Sequence, residues 1–504
     1  MSKILEPIKN FYNKHPNIFF LIISLFIGFI TPLFGSWVTS FIYGLAPTDP
    51  YVIDGTMFYE LGNMLAKGYK PYYDMFDQKG IYIFYYTALG VLIGGKVGIL
   101  LVQVVVFTTF YYFMFKIYQL YNFRFSLSLT SVLLISGIFM IASQSPSDFE
   151  MLLPLLTAAL YFYIKGLLNN NDKSFIIGNI IIGISVGISI HSRLSDAFLP
   201  FAMVVWFGVE RIKNKKIKSL FINAGIVISM IVISSIPAII HAYLGGFIEI
   251  MYQSSLIANF TYIGGVHSGF NIYKFVSRTI IGILFIGYGL ALYFFRKKYI
   301  NGEVLFYSII LGVVLFLQFL IAYYPHYLLI CIPFFIIFAT RIISLFNLNK
   351  LARYSLSGVT VTTLLFPIIF NPIYYYSSIY KKGEAIRNYI NLTISSEHRE
   401  FNTYCYDLSP AVYLNSNITP RYAAFAFQYN FTSISKEYTL ENLENYILSD
   451  SCYYLITPNQ INENDIDFSR WLDEQVNVNN IFTLVNSNHV GNNYINIYVK
   501  TLLI

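Results

Sequence analysis

The stretch IYIFYYTALGVLIG, from Ile81 to Gly94, decides how this chain is threaded. It is apolar and uncharged, but only fourteen residues long. A helix rises about 1.5 Å per residue, so crossing a hydrocarbon core of about 30 Å takes about 20 residues. The run therefore reads as a short helix at the membrane interface. Longer apolar runs surround it, at residues 17–43, 97–120, 125–143, 150–168, 174–191, 196–211, 218–245, 273–295, 303–323, 326–346 and 353–376. The 504-residue chain is 56% hydrophobic and 12% charged, about half the charged share of a soluble protein. The fold class is an all-α polytopic membrane domain of about eleven crossings.

Parity follows from that short run. With a cytoplasmic N-terminus and no crossing at 81–94, the inner loops hold Lys116 with Arg124, Lys165 with Lys173, the run RIKNKKIK from Arg211, RKK from Arg296, and Lys350 with Arg353. Cytoplasmic loops carry the excess of Lys and Arg, and every strongly basic connection then obeys the rule. A crossing at 81–94 would turn all of them outward. The net charge of +7 thus belongs to short loops between spans and is no nucleic-acid signal. The first apolar run follows Lys3, Lys9 and Lys14 without a small-residue cleavage site, and reads as an uncleaved first helix.

The outer face collects the acids, histidines and tyrosines. Its first loop, YVIDGTMFYELGNMLAKGYKPYYDMFDQKG from Tyr51, contains Asp54, Asp74, Asp77 and Lys79. Ionisable groups at a membrane are costly and are usually kept for use. Asp54 opens a helix-like segment with Met57, Phe58, Leu61 and Leu65 inward; it is either a helix cap or a general base for an acceptor hydroxyl. Lys79 either anchors the interfacial helix by snorkelling or meets a phosphate. Asp74 and Asp77 suit short-helix starts. Further along, SPSDFE carries Asp148 and Glu150 at the outer start of a span, where acids also favour the helix dipole. HSRLSD places His191, Arg193 and Asp196 in one tight turn. Arg193 there either clamps a carboxylate, Asp196 or Glu150, or binds phosphate through its planar fork. YYPHY brings His326 and Tyr327 to the same face, and GGVHSG adds His267. The sequence holds no H-E-x-x-H, C-x-x-C or P-loop, so it identifies no cofactor. Outer-face histidines leave a divalent metal open, but without a ligand spacing.

Taken in order, a long first span, an outer loop opening at Asp54, and GYKPYYDMFDQKG before an interfacial helix resemble the GT-C superfamily of polyprenyl-phosphate-sugar-dependent glycosyltransferases. The pattern is similar to glycosyltransferase family 39, which includes protein O-mannosyltransferases and lipid A aminoarabinose transferases. Asp54 matches the acid of that family's Asp-Glu pair, with Gly55 in place of Glu. Lys79 matches the lysine of its Lys-Pro-Pro motif, with Gly80 in place of the first proline. SDFEMLLPLL and YYPHYLLICIP extend the likeness across most of residues 1–376. The resemblance implies an inverting hexosyl- or pentosyltransferase of the plasma membrane. Its donor is a sugar on a polyprenyl phosphate in the bilayer; its acceptor is an extracytoplasmic glycan, lipid or protein. It implies Asp54 as base, Lys79 and Arg193 against the leaving phosphate, and His326 and Tyr327 on phosphate or sugar. Asp77, Asp148, Glu150, His191 and Asp196 are supporting residues. A polysaccharide polymerase or ligase, and a lipid-oligosaccharide flippase, are the rival readings.

After about residue 376 the apolar runs stop. TYCYDLS, CYYLITP and NYINIYVK have strand character between turn signals, with helical patterns such as LENLENYILS between them. Residues 377–504 read as a small extracytoplasmic α/β domain. Its Cys405 and Cys452 would be free to pair there, which spacing does not decide. The threading is testable by cysteine scanning. Asp54→Cys is expected to react with a membrane-impermeant maleimide on intact cells, and Lys215→Cys to react only after lysis. The opposite pattern would turn the topology inside out.

Overall fold

The computed structural model describes residues 10–35, 53–142, 146–257, 329–345, 350–374, 381–408, 410–423, 439–459, 461, 466–485 and 495–501, with isolated helical residues between 279 and 312. The expected spans 273–295 and 303–323 fall mostly outside this set, as do His267, His326 and Tyr327.

The membrane part begins with α1 (Pro16–Phe34), α2 (Ile53–Ala66), α3 (Ile81–Leu120) and α4 (Phe125–Ala142). A 3₁₀ turn at Glu150–Leu152 leads into α5 (Leu153–Asn169), followed by α6 (Asp172–Ile190). A second 3₁₀ turn at Leu194–Ala197 leads into α7 (Phe198–Lys213), then α8 (Ile217–Gly245) and the short α9 (Ile248–Tyr252). α10 (Ile332–Ser344) and α11 (Lys350–Tyr374) complete it. Among the described residues seven helices, all but α2, α7, α9 and α10, are long and apolar enough to cross a bilayer. The expected spans 196–211 and 326–346 correspond to the shorter α7 and α10.

The Ile81–Gly94 run is a separate helical arm. Its continuity with the next span breaks at Gly94–Gly95, where Gly95 has φ 60° and ψ −130°, backbone that a side chain would strain. Beyond the break the chain doubles back. A Cβ on Gly90 would lie 2.7 Å from the Cα of Ile99, and one on Gly98 would lie 2.0 Å from the Gly90 carbonyl oxygen. Residues eight apart in one straight helix would be about 12 Å distant. The arm 81–93 therefore packs against the start of the span 96–120.

Within the bundle, helices approach through small residues and polar bridges, as expected where lipid is as apolar as leucine. Gly183 and Gly187 of α6 press on Met230 and Ser234 of α8, with no room for a Cβ. Thr31 of α1 bonds Tyr111 of α3 at 2.9 Å and Ser136 of α4 at 2.7 Å. Asn179 of α6 accepts from Tyr163 of α5 and donates to Asn223 of α8 at 2.8 Å. At the basic end of α7, buried Arg211 holds Asp172 at 2.7 Å and lies 4.4 Å from the Phe175 ring centroid.

The C-terminal part opens with α12 (Lys381–Thr393) and α13 (Ser396–Phe401), then alternates β1 (Thr403–Cys405), α14 (Pro410–Ser416), α15 (Leu440–Leu448), β2 (Tyr454–Pro458), α16 (Ile466–Asn477), β3 (Phe482–Leu484) and β4 (Ile495–Lys500). The sheet order is β1-β2-β4-β3, with β1 and β2 parallel and the other pairs antiparallel. Alternate residues point to opposite faces, and both faces are covered. Tyr404 and Leu455 join a core with Leu443 and Phe468. Their neighbours Cys405 and Ile456 join another that includes Ile390, Val412 and the α2 residues Met57, Phe58, Leu61 and Met64. Cys405 and Cys452 are buried free thiols.

The first loop is built into both cores. Met75 packs in the α2 core and Phe76 in the other, both with no exposed surface. The Phe76 amide donates to the Ala423 carbonyl at 2.8 Å. The helix-like segment expected from Asp54 forms as α2, and it is buried on nearly every side from Gly55 to Gly62. Leu65 is half-buried, and Met64 fills the inward position. Phe76→Ala is expected to cost about 3–5 kcal/mol, seen as faster amide exchange in β1 and β2 while α5 and α6 keep their protection. Unchanged exchange in β1 and β2 would show that the loop does not support the sheet.

Candidate active site at the membrane edge

Six of the polar residues singled out in sequence, Asp54, Asp77, Lys79, Asp148, Arg193 and Asp196, meet where α2, the first loop and the starts of α5 and α7 converge. Asp54 lies in the first turn of α2 and is half-buried. The loop that follows is tightly folded. Asp74 accepts the Lys70 amide at 2.7 Å, which closes a turn. Tyr72 adopts φ 66°, left-handed backbone, while its amide donates to the Met75 carbonyl at 2.7 Å. Its buried hydroxyl donates to the Lys79 carbonyl at 2.9 Å. Asp77 accepts the Lys79 amide at 2.8 Å. Thus Tyr72 and Asp77 grip the backbone of Lys79 from two sides and leave its half-buried side chain directed by that backbone.

The next contact fixes the loop to the bundle. The Gly80 amide donates to the Ser192 carbonyl at 2.6 Å, and the Tyr82 amide to the His191 carbonyl at 2.9 Å. A Cβ on Gly80 would sit 2.2 Å from the carbonyl carbon of His191. No proline or side-chain-bearing residue fits there without movement, which explains physically why Gly80 follows Lys79. His191 itself is buried, its ring 6.2 Å from Tyr82 and 6.0 Å from Tyr252. Burial lowers its pKa, which favours the neutral imidazole.

Arg193 sits buried between two acids. Its Nε and Nη2 donate to Asp196 Oδ1 at 3.0 and 2.7 Å, and Nε lies 3.3 Å from Asp148 Oδ2. Asp148 Oδ1 accepts from the Ser147 hydroxyl at 3.0 Å and the Phe149 amide at 3.1 Å. Of the two carboxylates expected for Arg193, Asp196 is the one it grips, and Asp148 joins it. Glu150 turns into the bundle, where it accepts from Gln103 Nε2 at 3.0 Å and Tyr86 OH at 3.3 Å. Glu150 is wholly buried, and it holds α5 to α3 by those bonds.

The charges feel one another. Burial raises Asp77 to about 6, with Lys79 opposing and Asp54 and Asp148 adding to the rise. Asp196 is also raised by burial; Arg193 and Lys79 oppose the rise and Asp148 adds to it. Asp54, Asp77, Lys79, Asp148, Arg193 and Asp196 thus form one electrostatic cluster. Among the described residues no group of three or more His, Cys, Asp or Glu side chains has metal-holding geometry.

Two residues of this region escaped the sequence reading. Tyr72 is one of five tyrosines in the loop from Tyr51, and nothing local marks it as the brace. Glu60 lies in α2, 1% exposed, and burial pushes it up to about 8. A lone acid inside the apolar run TMFYELGNML was the available signal.

Residues 78–240 match the family profile described as dolichyl-phosphate-mannose-protein mannosyltransferase. That span includes Lys79, Asp148, Arg193 and Asp196 and stops short of Asp54. No curated protein sequence matches the chain. Among solved structures, the chain is similar to ArnT from Cupriavidus metallidurans bound to undecaprenyl phosphate, with a TM-score of 0.62 at 12% identity, covering 95% of this chain and 97% of that one. The apo state of the same protein gives 0.60 at the same identity and coverage. The chain as a whole therefore shares the fold of ArnT, and the mannosyltransferase profile runs through the stretch that carries Lys79 and Arg193.

Proposed function

We propose that this protein is an inverting glycosyltransferase that moves a hexose or pentose from a polyprenyl-phosphate donor to an extracytoplasmic glycan, lipid or protein. What carries the reading is the single cluster of Asp54, Asp77, Lys79, Asp148, Arg193 and Asp196 at one edge of a GT-C-fold bundle. Undecaprenyl phosphate, the lipid named in the ArnT structure, is the donor class we propose. Residues 1–376 would form the catalytic membrane domain and 377–504 a cover on its outer side, with the N-terminus cytoplasmic.

In this scheme the acceptor hydroxyl oxygen forms a bond to the anomeric carbon as the bond from that carbon to the phosphate oxygen breaks. Asp54 takes the hydroxyl proton, and the lipid phosphate leaves with the electron pair. Attack opposite the leaving group inverts the anomeric configuration. Lys79, held by Tyr72 and Asp77 through its backbone, faces the charge that builds on the phosphate. A cation preorganised in this way lowers the barrier because it needs no reorganisation. Arg193 is already engaged by Asp148 and Asp196, so its first duty is to hold two helix starts in register; phosphate contact would come through the remainder of its fork. His326 and Tyr327 keep their proposed phosphate or sugar role from sequence.

Asp54→Asn is expected to lower transfer from a labelled polyprenyl-phosphate sugar by about 10²- to 10⁴-fold, with donor binding retained. Wild-type rates in that variant would remove Asp54 as the base. Asp77 supplies a pH signature. Its ionised form pairs with Lys79, so activity is expected to fall as pH drops through about 6, and Asp77→Asn should lose that inflection. Stability runs the other way. A folded-state pKa raised above the unfolded value gives a contribution present at low pH and lost as pH rises through about 6. The wild-type protein should therefore lose stability from this group between pH 4 and 7, and Asp77→Asn should not. An acid limb that persists unchanged in the variant would assign it to another group.

A further inference from the structure

A second polar site lies on the far side of α2 from this cluster. Six residues separate Asp54 and Glu60, which places Glu60 about 9 Å along the helix and about a third of a turn away. There α2, α13 and the segment after α14 enclose a cavity of about 310 Å³, lined by Glu60, Asn63, Lys67, Arg399, Glu400 and Asn417. Pockets that take small ligands begin at about 300 Å³, so this one suits one or two sugar rings.

The lining is mixed in a specific way. Glu60 is buried, and Asn63 Nδ2 donates to its Oε2 at 3.3 Å. Arg399 Nη1 donates to the Ser416 carbonyl at 3.4 Å, and its Nε is buried with no hydrogen-bond partner among the described residues. Two acids face two bases, so the formal charges cancel. Burial holds Glu60 near 8, and at neutral pH its carboxyl both donates and accepts. The one surplus positive charge then falls to Lys67 at the exposed rim, where solvent screens it. A phosphate or carboxylate site would concentrate cations on its floor. A sugar hydroxyl, itself donor and acceptor, matches amide and protonated carboxyl groups instead.

We propose that this cavity is a saccharide subsite that holds a neutral sugar unit of the acceptor at a distance from the reacting carbon. The proposal rests on the glycosyltransferase reading and narrows its acceptor to one that bears a sugar. Binding there would use interactions remote from the chemistry to place the acceptor hydroxyl, as substrate-positioning contacts do.

The test is retention of the full-length detergent-purified protein on an array of neutral oligosaccharides of glucose, galactose, N-acetylglucosamine and rhamnose, beside uronic-acid-bearing and sulfated oligosaccharides. Wild type should hold at least one neutral glycan. Asn63→Ala and Asn417→Gly should each weaken that binding about tenfold or more. Asn417 has φ 53°, so glycine removes its amide without backbone strain. Glu60→Gln, which keeps the shape, is a second probe if Asn63→Ala fails to fold. Asp54→Asn should bind the array as wild type does while losing transfer, so a failed transfer reading and a failed subsite give different results. No glycan retained by wild type, a preference for the anionic set, or binding unaltered by the cavity substitutions would each overturn the proposal.

Discussion

The guanidinium of Arg193 is the point on which this end of the helix bundle depends. It is one buried cation between two buried acids, Asp148 at the start of α5 and Asp196 at the start of α7. Removing one partner of such a set leaves a charge uncompensated in a low-dielectric setting, which costs about 3–5 kcal/mol. Two helix starts and the end of α6 therefore share one electrostatic bracket. The carbonyls of His191 and Ser192, next in sequence, receive the amides of Tyr82 and Gly80. The bracket thus fixes the loop carrying Lys79 at one remove.

Charge balance within the cluster has a further meaning. Asp54, Asp77, Asp148 and Asp196 outnumber Lys79 and Arg193 by two. Burial is the main cause that raises Asp77 and Asp196, and the neighbouring carboxylates add to it against the pull of Lys79 and Arg193. A donor that brings its own negative phosphate adds to the surplus. On the proposed reading, binding of such a donor would be coupled to proton uptake at the cluster, in the sense that linked equilibria require.

Much of this architecture was legible in the sequence, and the reasons separate cleanly. Spans such as Asp172–Ile190 announce themselves because bilayer thickness sets a length that composition can meet. The arm at 81–94 was legible for the complementary reason, being too short. The cluster at one face followed from parity. Pairing was less accessible. Arg193 meets Asp148, 45 positions earlier, whereas the sequence pointed to Asp196 or Glu150 and did not single out Asp148, which starts the same span as Glu150. Nothing local marks Met75 and Phe76 as core residues of two different layers, since the partners of Phe76 lie more than 300 positions away while Met75 packs with α2. Glu60 was hidden by the apolar helix around it. His326 and Tyr327 lie outside the described residues.

That split of Met75 and Phe76 changes what the C-terminal unit is. A module appended to a membrane enzyme can be removed and leave the remainder standing. Here the sheet is completed by a side chain that belongs, in chain order, to the membrane part. Loosening either side exposes apolar surface on the other, so the loop holding Lys79 and the sheet share their stability. A ligand gripping the C-terminal unit would then stiffen that loop with no contact to it, a coupling written into the order of two adjacent residues.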